Sequence, residues 1–138
     1  MIDLQNCKIV RMLDPIDING VTATDTEVDT FGWDYLTVIV VNGNVAANMT
    51  ALKLQESDTS GSGEADIISG AFSNPAATGG DNTRRAAFLD LRKRKRYIST
   101  VATGGAAATL ITVIGILSRA EVSPTSATEC GLDEQLIL

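Results

Sequence analysis

The side chains of this sequence that stand out for their chemistry are a run of five basic residues. Seven of the eleven Lys and Arg residues lie between Arg84 and Arg96, and the other four are scattered. If the run continues a strand, its successive side chains point to opposite sides, so both faces are charged. We therefore expect the run to project past the core, or to form an edge or a tight turn. Its members are Arg92, Lys93, Arg94, Lys95 and Arg96.

The sequence leaves several interpretations of this basic run open. The first is a solvated hairpin end that also protects a sheet edge, because Lys discourages edge-to-edge pairing. The second is a contact surface for an acidic partner protein, because Arg is favoured at interfaces. The third is contact with nucleic acid, but Tyr97 is the only aromatic beside the run and the formal net charge is -6. The composition also allows a nuclear localisation signal. We expect no nucleic-acid partner.

Three carboxylates, at Asp25, Glu27 and Asp29, alternate along an earlier stretch and would share one face of a strand. Carboxylate oxygens suit Ca²⁺, but alternate residues of a strand place their Cβ atoms about 7 Å apart. A calcium site here would need ligands from other loops, and the pattern of an EF-hand is absent. A solvated acidic face, or contact with the basic run of a neighbouring subunit, accounts for the same residues.

The composition argues against catalysis. The chain has no His, which removes the commonest general base and the commonest metal ligand. The glycine-rich stretches at 61–63 and 79–80 lack the Gly-Lys-Ser/Thr pattern of a phosphate loop. Ser and Cys nucleophiles have no His base, and no motif indicates a substitute. We expect a protein that is not an enzyme and that uses no cofactor and no metal ion.

Trp33 is the only Trp of the chain and follows Gly32 at the start of an apolar run. A Trp at such a position is typical of a core or a subunit interface. The alternative is a stacking platform for a ligand such as a sugar, although aromatic residues make up only 4% of the chain.

The elements that must position these residues are strands. Tyr35–Val41 is rich in β-branched and aromatic side chains, and Met49–Glu56 alternates apolar with polar residues. Asn42 to Asn44 separates them, which predicts a central hairpin with an Asn/Gly turn. The longest apolar run, Ala106–Ser118, predicts a central strand, because Ile, Val and Thr dominate and Gly115 lies inside it; a buried helix is the alternative.

Further strands are predicted along the chain, separated by Gly, Asn, Ser and Pro turns. With the central pair and the long apolar run they make about seven or eight strands, and no stretch shows a convincing helical period. The fold class is therefore all-β, an antiparallel β-sandwich or jelly-roll-like domain with extended termini. These further strands are expected in Val21–Thr30, in Ala65–Phe72 and in Ala86–Asp90 with its continuation over Leu91–Val101.

We expect an N-terminal arm over residues 1–20, with a short strand in it, a β-sandwich domain over 21–121 and a C-terminal tail over 122–138. The 138 residues suffice for one domain with its own core. Cys7 and Cys130 lie near opposite ends, and the sequence leaves open whether they pair. No signal-peptide pattern and no apolar run long enough to cross a bilayer is present, so we expect no membrane partner.

Several segments between Glu27 and Glu121 resemble, in their amino-acid sequences and in their order, those of the capsid decoration, or cement, proteins of tailed bacteriophages. The first two dozen residues and the tail after Glu121 lie outside this resemblance. The segments are EVDTFGWDYLTVIVVNG, MTALKLQESDTS, ADIISGAFS, FLDLRKRKRYISTVAT and GILSRAE.

The resemblance implies a viral structural protein that binds the outer surface of the phage head and stabilises contacts between major capsid subunits. Such proteins are commonly homotrimers, assembled in the host cytoplasm and carried on the capsid exterior of the virion. The residues from Arg92 to Arg96 would then contact acidic loops of the major capsid protein. The alternative is a receptor- or carbohydrate-binding β module of a phage tail or fibre, which would use Trp33. A tail-tube subunit is a third possibility.

Overall fold

The computed structural model describes residues 6–23 and 25–134, which form eight β-strands. A short 3₁₀ helix spans Leu91–Lys93, and these residues contain no α-helix. In chain order the strands are β1 (Lys8–Ile18), β2 (Val28–Asp29), β3 (Trp33–Val45), β4 (Ala51–Ser57), β5 (Ala65–Ala71), β6 (Arg84–Asp90), β7 (Tyr97–Thr103) and β8 (Thr109–Ala120).

The strands form two four-stranded sheets. Sheet I has the order β1-β8-β3-β6 and sheet II the order β2-β7-β4-β5, and every neighbouring pair is antiparallel. Buried side chains from both sheets form one apolar core. The prediction of an all-β antiparallel sandwich of about seven or eight strands is confirmed. One side of the sandwich ends in β1 and β2, and the opposite side ends in β5 and β6.

The apolar run Ala106–Ser118 forms most of β8, a central strand that pairs with β1 on one side and β3 on the other. Alternate residues such as Ile111 and Val113 point into the core, which is the period-two pattern of a strand. At its middle, Gly115 lies so close to Val10 that an added Cβ would come within 2.7 Å of the Val10 Cγ2 atom. The predicted central strand is confirmed, and its glycine serves close packing.

The predicted hairpin of Tyr35–Val41 with Met49–Glu56 is wrong, because β3 and β4 lie in different sheets. β3 continues through Asn42, whose buried side-chain amide donates to the carbonyl of Gly80 at 2.6 Å. The Thr83 hydroxyl donates to the Asn42 Oδ1 atom at 2.8 Å. With these polar groups satisfied, Asn42 extends the strand, and the chain crosses to the other sheet only after Val45.

The expectation of an arm over residues 1–20 is corrected for Lys8–Ile18, which is an integral strand of sheet I. It pairs with β8 along its whole length, from Lys8 opposite Leu117 to Ile18 opposite Thr109. β-Bulges interrupt the alternation that a regular strand would have shown in the sequence. Residues 1–5 of the expected arm lie outside the described residues.

The first part of the C-terminal tail packs against β1. The amide of Ile9 donates to the carbonyl of Cys130 at 2.7 Å, and both Cys7 and Cys130 are buried. Gly131, at φ +73°, lies so close to the Ile9 carbonyl that a Cβ there would collide with it. The sequence of this tail gave no sign of such docking, because it follows from a contact with a segment more than a hundred residues earlier.

Candidate interaction surfaces

The basic run Arg92 to Arg96 connects the edge of sheet I to sheet II, since β6 precedes it and β7 follows it. Its first residues form the 3₁₀ helix, which the Asp90 side chain caps by accepting from the Arg92 amide at 3.1 Å. The predicted strand continuation over Leu91–Val101 is therefore wrong for the residues before Tyr97, and the run is a crossover rather than a hairpin end.

Two arginines of the run form close ion pairs within the chain. Arg92 Nη2 lies 2.7 Å from Asp90 Oδ2, and Arg96 Nη2 lies 2.7 Å from Asp29 Oδ2. The hydrogen bond from Arg92 lowers the pKa of Asp90 to about 2, and the hydrogen bond from Arg96 lowers the pKa of Asp29. Both carboxylates are thus ionised at neutral pH and offset the positive charge of their partners.

Two further members of the run pair with acids at the end of β4 and just after it. Arg94 Nη1 lies 3.5 Å from Glu56 Oε1, and Lys95 Nζ lies 3.6 Å from Asp58 Oδ2. Among the described residues, Lys93 is exposed and forms no ion pair. Most of the positive charge of the run is therefore paired with carboxylates of the same chain.

Aromatic rings cover part of the same arginines. The Arg92 guanidinium lies 5.4 Å from the ring centroid of Tyr35, and the Arg96 guanidinium lies 5.0 Å from that of Phe31 and 5.1 Å from that of Tyr97. Cation–π contacts of this kind hold an arginine in one orientation. The run is therefore a crossover between the two sheets that is held by ion pairs and cation–π contacts. The sequence did not reveal these contacts, because most of the acidic and aromatic partners are distant in the chain.

The three acids predicted to share a face are engaged separately. Only Val28–Asp29 of the predicted strand Val21–Thr30 is a strand, and Thr24 lies outside the described residues. Asp25 Oδ2 accepts the amide of Thr100 at 2.6 Å, and Glu27 Oε1 accepts the Ser60 hydroxyl at 2.6 Å. Asp29 accepts from Arg96 in the basic run of its own chain, whereas the sequence left open a solvated face or the basic run of a neighbouring subunit.

Trp33 begins β3 and is half-buried against the core. Its amide donates to the Thr30 carbonyl at 3.1 Å, and it pairs with Ala120 of β8. This placement makes it part of the packing at one end of sheet I.

The most extensive apolar surface is the outer face of sheet I, which points away from the core. Among the described residues nine large apolar side chains are exposed, and four of them lie on this face. Two shallow depressions, of about 290 and 390 Å³, lie on it. Neighbouring exposed apolar side chains on one face mark an interaction surface, whereas scattered ones do not. The four residues are Val41, Phe88, Leu110 and Ile114.

The sequence carried a partial signal for this outer face. In β8 the residues that alternate with the core positions include Leu110 and Ile114, which are apolar where a solvated face would carry polar side chains. The long apolar run predicts a central strand, but it does not indicate which face of that strand is left uncovered. The structure adds that one of its two faces has no covering element among the described residues.

Within the described part of the chain, no three carboxylate or thiol side chains are grouped so that they could hold a metal ion. No helix there is long and apolar enough to span a membrane.

Comparisons with known proteins bear on the fold alone. No protein-family model and no curated protein sequence matches the chain. A crystal structure of the SPBc2 prophage-derived protein YomS is similar, with a TM-score of 0.52, 13% sequence identity and coverage of 80% of this chain and 91% of that one. A structure of Bacillus endospore appendages, described as disulfide-linked pili, gives a TM-score of 0.44 at 16% identity, covering 83% and 91%. The second likeness is too weak to argue from, whereas the first shows a shared β fold.

Proposed function

We propose that this chain is a non-catalytic structural protein of a bacteriophage particle, a decoration protein that binds the outside of the head and stabilises contacts between major capsid subunits. The observation that carries the proposal is the outer face of sheet I. A sandwich that keeps four large apolar side chains exposed on one face is suited to bind another protein surface.

The likeness of fold to a prophage-derived protein supports the phage part of the proposal. The resemblance of the segments between Glu27 and Glu121 to decoration proteins supports the capsid part. Polar side chains such as Asp25 and Arg96 form hydrogen bonds and ion pairs that connect parts of the fold to one another. This use of charged side chains is compatible with a structural protein.

In the proposed mechanism the outer face of sheet I lies on the capsid and the basic run lies at its border. Lys93 is the member of the run that remains available to an acidic capsid loop, whereas Arg94 and Arg96 are engaged within the chain. Three copies act together as a homotrimer. Modest contacts from each copy then add up to tight binding, because linked sites raise one another's effective concentration.

Co-sedimentation tests the proposal. The purified chain is mixed with expanded heads of its virus that lack decoration, and the oligomeric state is read by light scattering. We expect saturable binding at a fixed ratio by a trimer. Absence of binding, with a monomer in solution, would reject the decoration function.

A further inference from the structure

Three of the four sheet edges that the described residues form are protected against pairing with another strand. The edge of β1 carries the tail, since the Ile9 amide donates to the Cys130 carbonyl. β2 has only two residues, and β5 is bulged between Asp66 and Ala71. A covering segment, a short strand and a bulge are common ways in which proteins keep an edge from pairing.

The fourth edge, β6, has none of these features. Within the described residues it is hydrogen-bonded to β3 alone. Its pairing runs from Arg84 opposite Val41 to Asp90 opposite Tyr35 without a register shift. It contains no proline, and its charged residues lie at its two ends. A regular strand with an open edge and an apolar centre is a template for a further strand.

The backbone groups on this open edge follow from the pairing with β3. The Asn42 amide donates to the Thr83 carbonyl at 3.1 Å, just before β6 begins. In an antiparallel pair the N–H and C=O groups of alternate residues point toward and away from the partner strand. Every second residue from Thr83 onward therefore faces β3, and the residues between them face outward. The outward-facing residues of β6 are Arg84, Ala86, Phe88 and Asp90.

The side chains of these four residues are exposed and complement one another in the antiparallel direction. When two copies of β6 run antiparallel, Arg84 lies opposite Asp90, and Ala86 lies opposite Phe88. Arg84 forms no ion pair with the other described residues. Asp90 binds Arg92, but its two carboxylate oxygens can accept a further donor. Phe88 is 82% exposed, and an alanine opposite leaves room for its ring.

One register satisfies both the backbone and the side chains. A two-fold axis at Ala87 pairs all seven residues of β6 with those of the second copy and places the outward backbone groups opposite one another. It also forms the pair of Arg84 with Asp90 twice. A shift of two residues keeps the hydrogen bonds but loses both ion pairs, and a shift of one residue mismatches the backbone groups.

We propose that β6 pairs with β6 of a second copy, antiparallel about a two-fold axis at Ala87, so that sheet I continues from one copy into the next. The axis is perpendicular to the sheet, so the outer faces of both copies lie on the same side. On the other side, the groove of about 280 Å³ between β5 and β6 opens toward its counterpart. Ile68 borders that groove at 89% exposure, and the pairing covers it.

The contact through β6 does not rest on the proposed function. A two-fold contact joins two copies and cannot close a ring of three. In the proposed trimer it would join copies of neighbouring trimers, as a separate step that increases with concentration. It would also align their outer faces toward one head surface.

Hydrogen exchange on the unmodified chain tests the contact without a cysteine substitution. The amides of Ala86 and Phe88 face outward, whereas the Ala87 amide faces β3 in a single copy. We expect exchange at Ala86 and Phe88 to slow by more than about tenfold as the chain is concentrated, because pairing protects these amides. Ala87 should be protected throughout. Exchange at Ala86 and Phe88 that does not depend on concentration and is unchanged by Arg84→Glu would overturn the inference.

Cysteine crosslinking tests the register. Ala87→Cys places two Cα atoms about 4.5 Å apart across the axis, within reach of a disulfide. We expect mild oxidation to give covalent dimers of this variant. Ala86→Cys is the matched control, because its Cα atoms lie about 7–8 Å apart on the diagonal, too far for a disulfide. Equal yields of dimer at the two positions would reject the proposed pairing.

Charge reversal tests the ion pairs within the Ala87→Cys variant. Arg84→Glu should lower the yield of covalent dimer about tenfold, because it sets two like-charge pairs across the axis. Arg11→Glu makes the same change of charge on β1, at the opposite edge of sheet I, and should leave the yield unchanged. Circular dichroism verifies that each variant is folded. A yield that Arg84→Glu does not alter would count against the contact.

Head binding is measured separately for each variant. Chains that bind heads as trimers but form no dimer through Ala87→Cys would reject the β6 contact and leave the decoration function standing. Chains that crosslink as expected but bind no heads would reject the decoration function and leave the contact standing.

Discussion

At Asp25, burial and hydrogen bonding act against each other. The carboxylate is half-buried, and loss of solvation raises its pKa above the ordinary value of 3.8, while the hydrogen bond from the Thr100 amide lowers it. Because burial is the larger effect, the folded protein holds a proton on Asp25 at a higher pH than the unfolded chain does. The ionised form therefore weakens the fold as pH rises through the raised pKa.

Asp25→Asn should keep an acceptor for the Thr100 amide while removing the charge. We expect its free energy of unfolding at pH 7 to equal or exceed that of the parent, with the difference disappearing as pH falls below about 4. Asp25→Ala, which leaves the Thr100 amide without this acceptor, should lose about 1–3 kcal/mol at pH 7. Urea unfolding at both pH values measures this, and greater stability of the Ala than the Asn variant would contradict the assignment.

The ion pair between Asp29 and Arg96 should give the free energy of unfolding the opposite dependence on pH. The hydrogen bond from Arg96 lowers the pKa of Asp29 from 3.8, so the pair stabilises the fold above that value and stops doing so as pH falls through the lowered pKa. Because both side chains are well exposed and screened by solvent, Arg96→Ala should lower the free energy of unfolding only slightly at pH 7. Lys93→Ala is the control and should change nothing, since Lys93 forms no ion pair with described residues. A pH-independent cost at Arg96 would contradict this account.

Among the elements, the docked tail depends on one glycine. Gly131 and Gly79 have nearly the same positive φ, 73° and 76°, but a Cβ at Gly131 would strike the Ile9 carbonyl and one at Gly79 would meet nothing within 4 Å. Ala should therefore cost about 1–2 kcal/mol at Gly79, from the left-handed backbone alone. The alanine substitution at Gly131 should lower the free energy of unfolding by more, because the tail must also move away from β1.

Hydrogen exchange at Ile9 reports this directly, because its amide donates to Cys130 of the tail. We expect Gly131→Ala to speed exchange of that amide and Gly79→Ala to leave it protected. Equal protection of the Ile9 amide in both variants would show that the tail does not depend on Gly131.

Sequence could predict those elements that are defined by neighbouring residues. The alternation within β8 is local, so the strand and its central place were predictable. The sheet to which β4 belongs was not, because Asn42 resembles a turn residue until its contacts with Gly80 and Thr83 are known. The basic run was found by composition, but its pairing with Asp29 and Glu56 depends on how distant strands meet.

For the whole molecule, the outer face of sheet I should decide whether the chain binds heads. Ile114 is central on that face and partly exposed, so Ile114→Asp can fold while placing a charge in the proposed contact. We expect head binding to fall more than about tenfold. Val122→Asp, outside the face, should bind normally. Unchanged binding by Ile114→Asp would move the capsid contact elsewhere on the molecule.

If the chain decorates a phage head, the number of copies bound per head must reach a fixed value at saturation. Undecorated heads are sedimented with increasing amounts of the chain, and bound and free protein are quantified. We expect a plateau at a fixed ratio to the major capsid protein, in a multiple of three copies per head. Binding that never saturates, or no binding at concentrations where the chain is oligomeric, would contradict it.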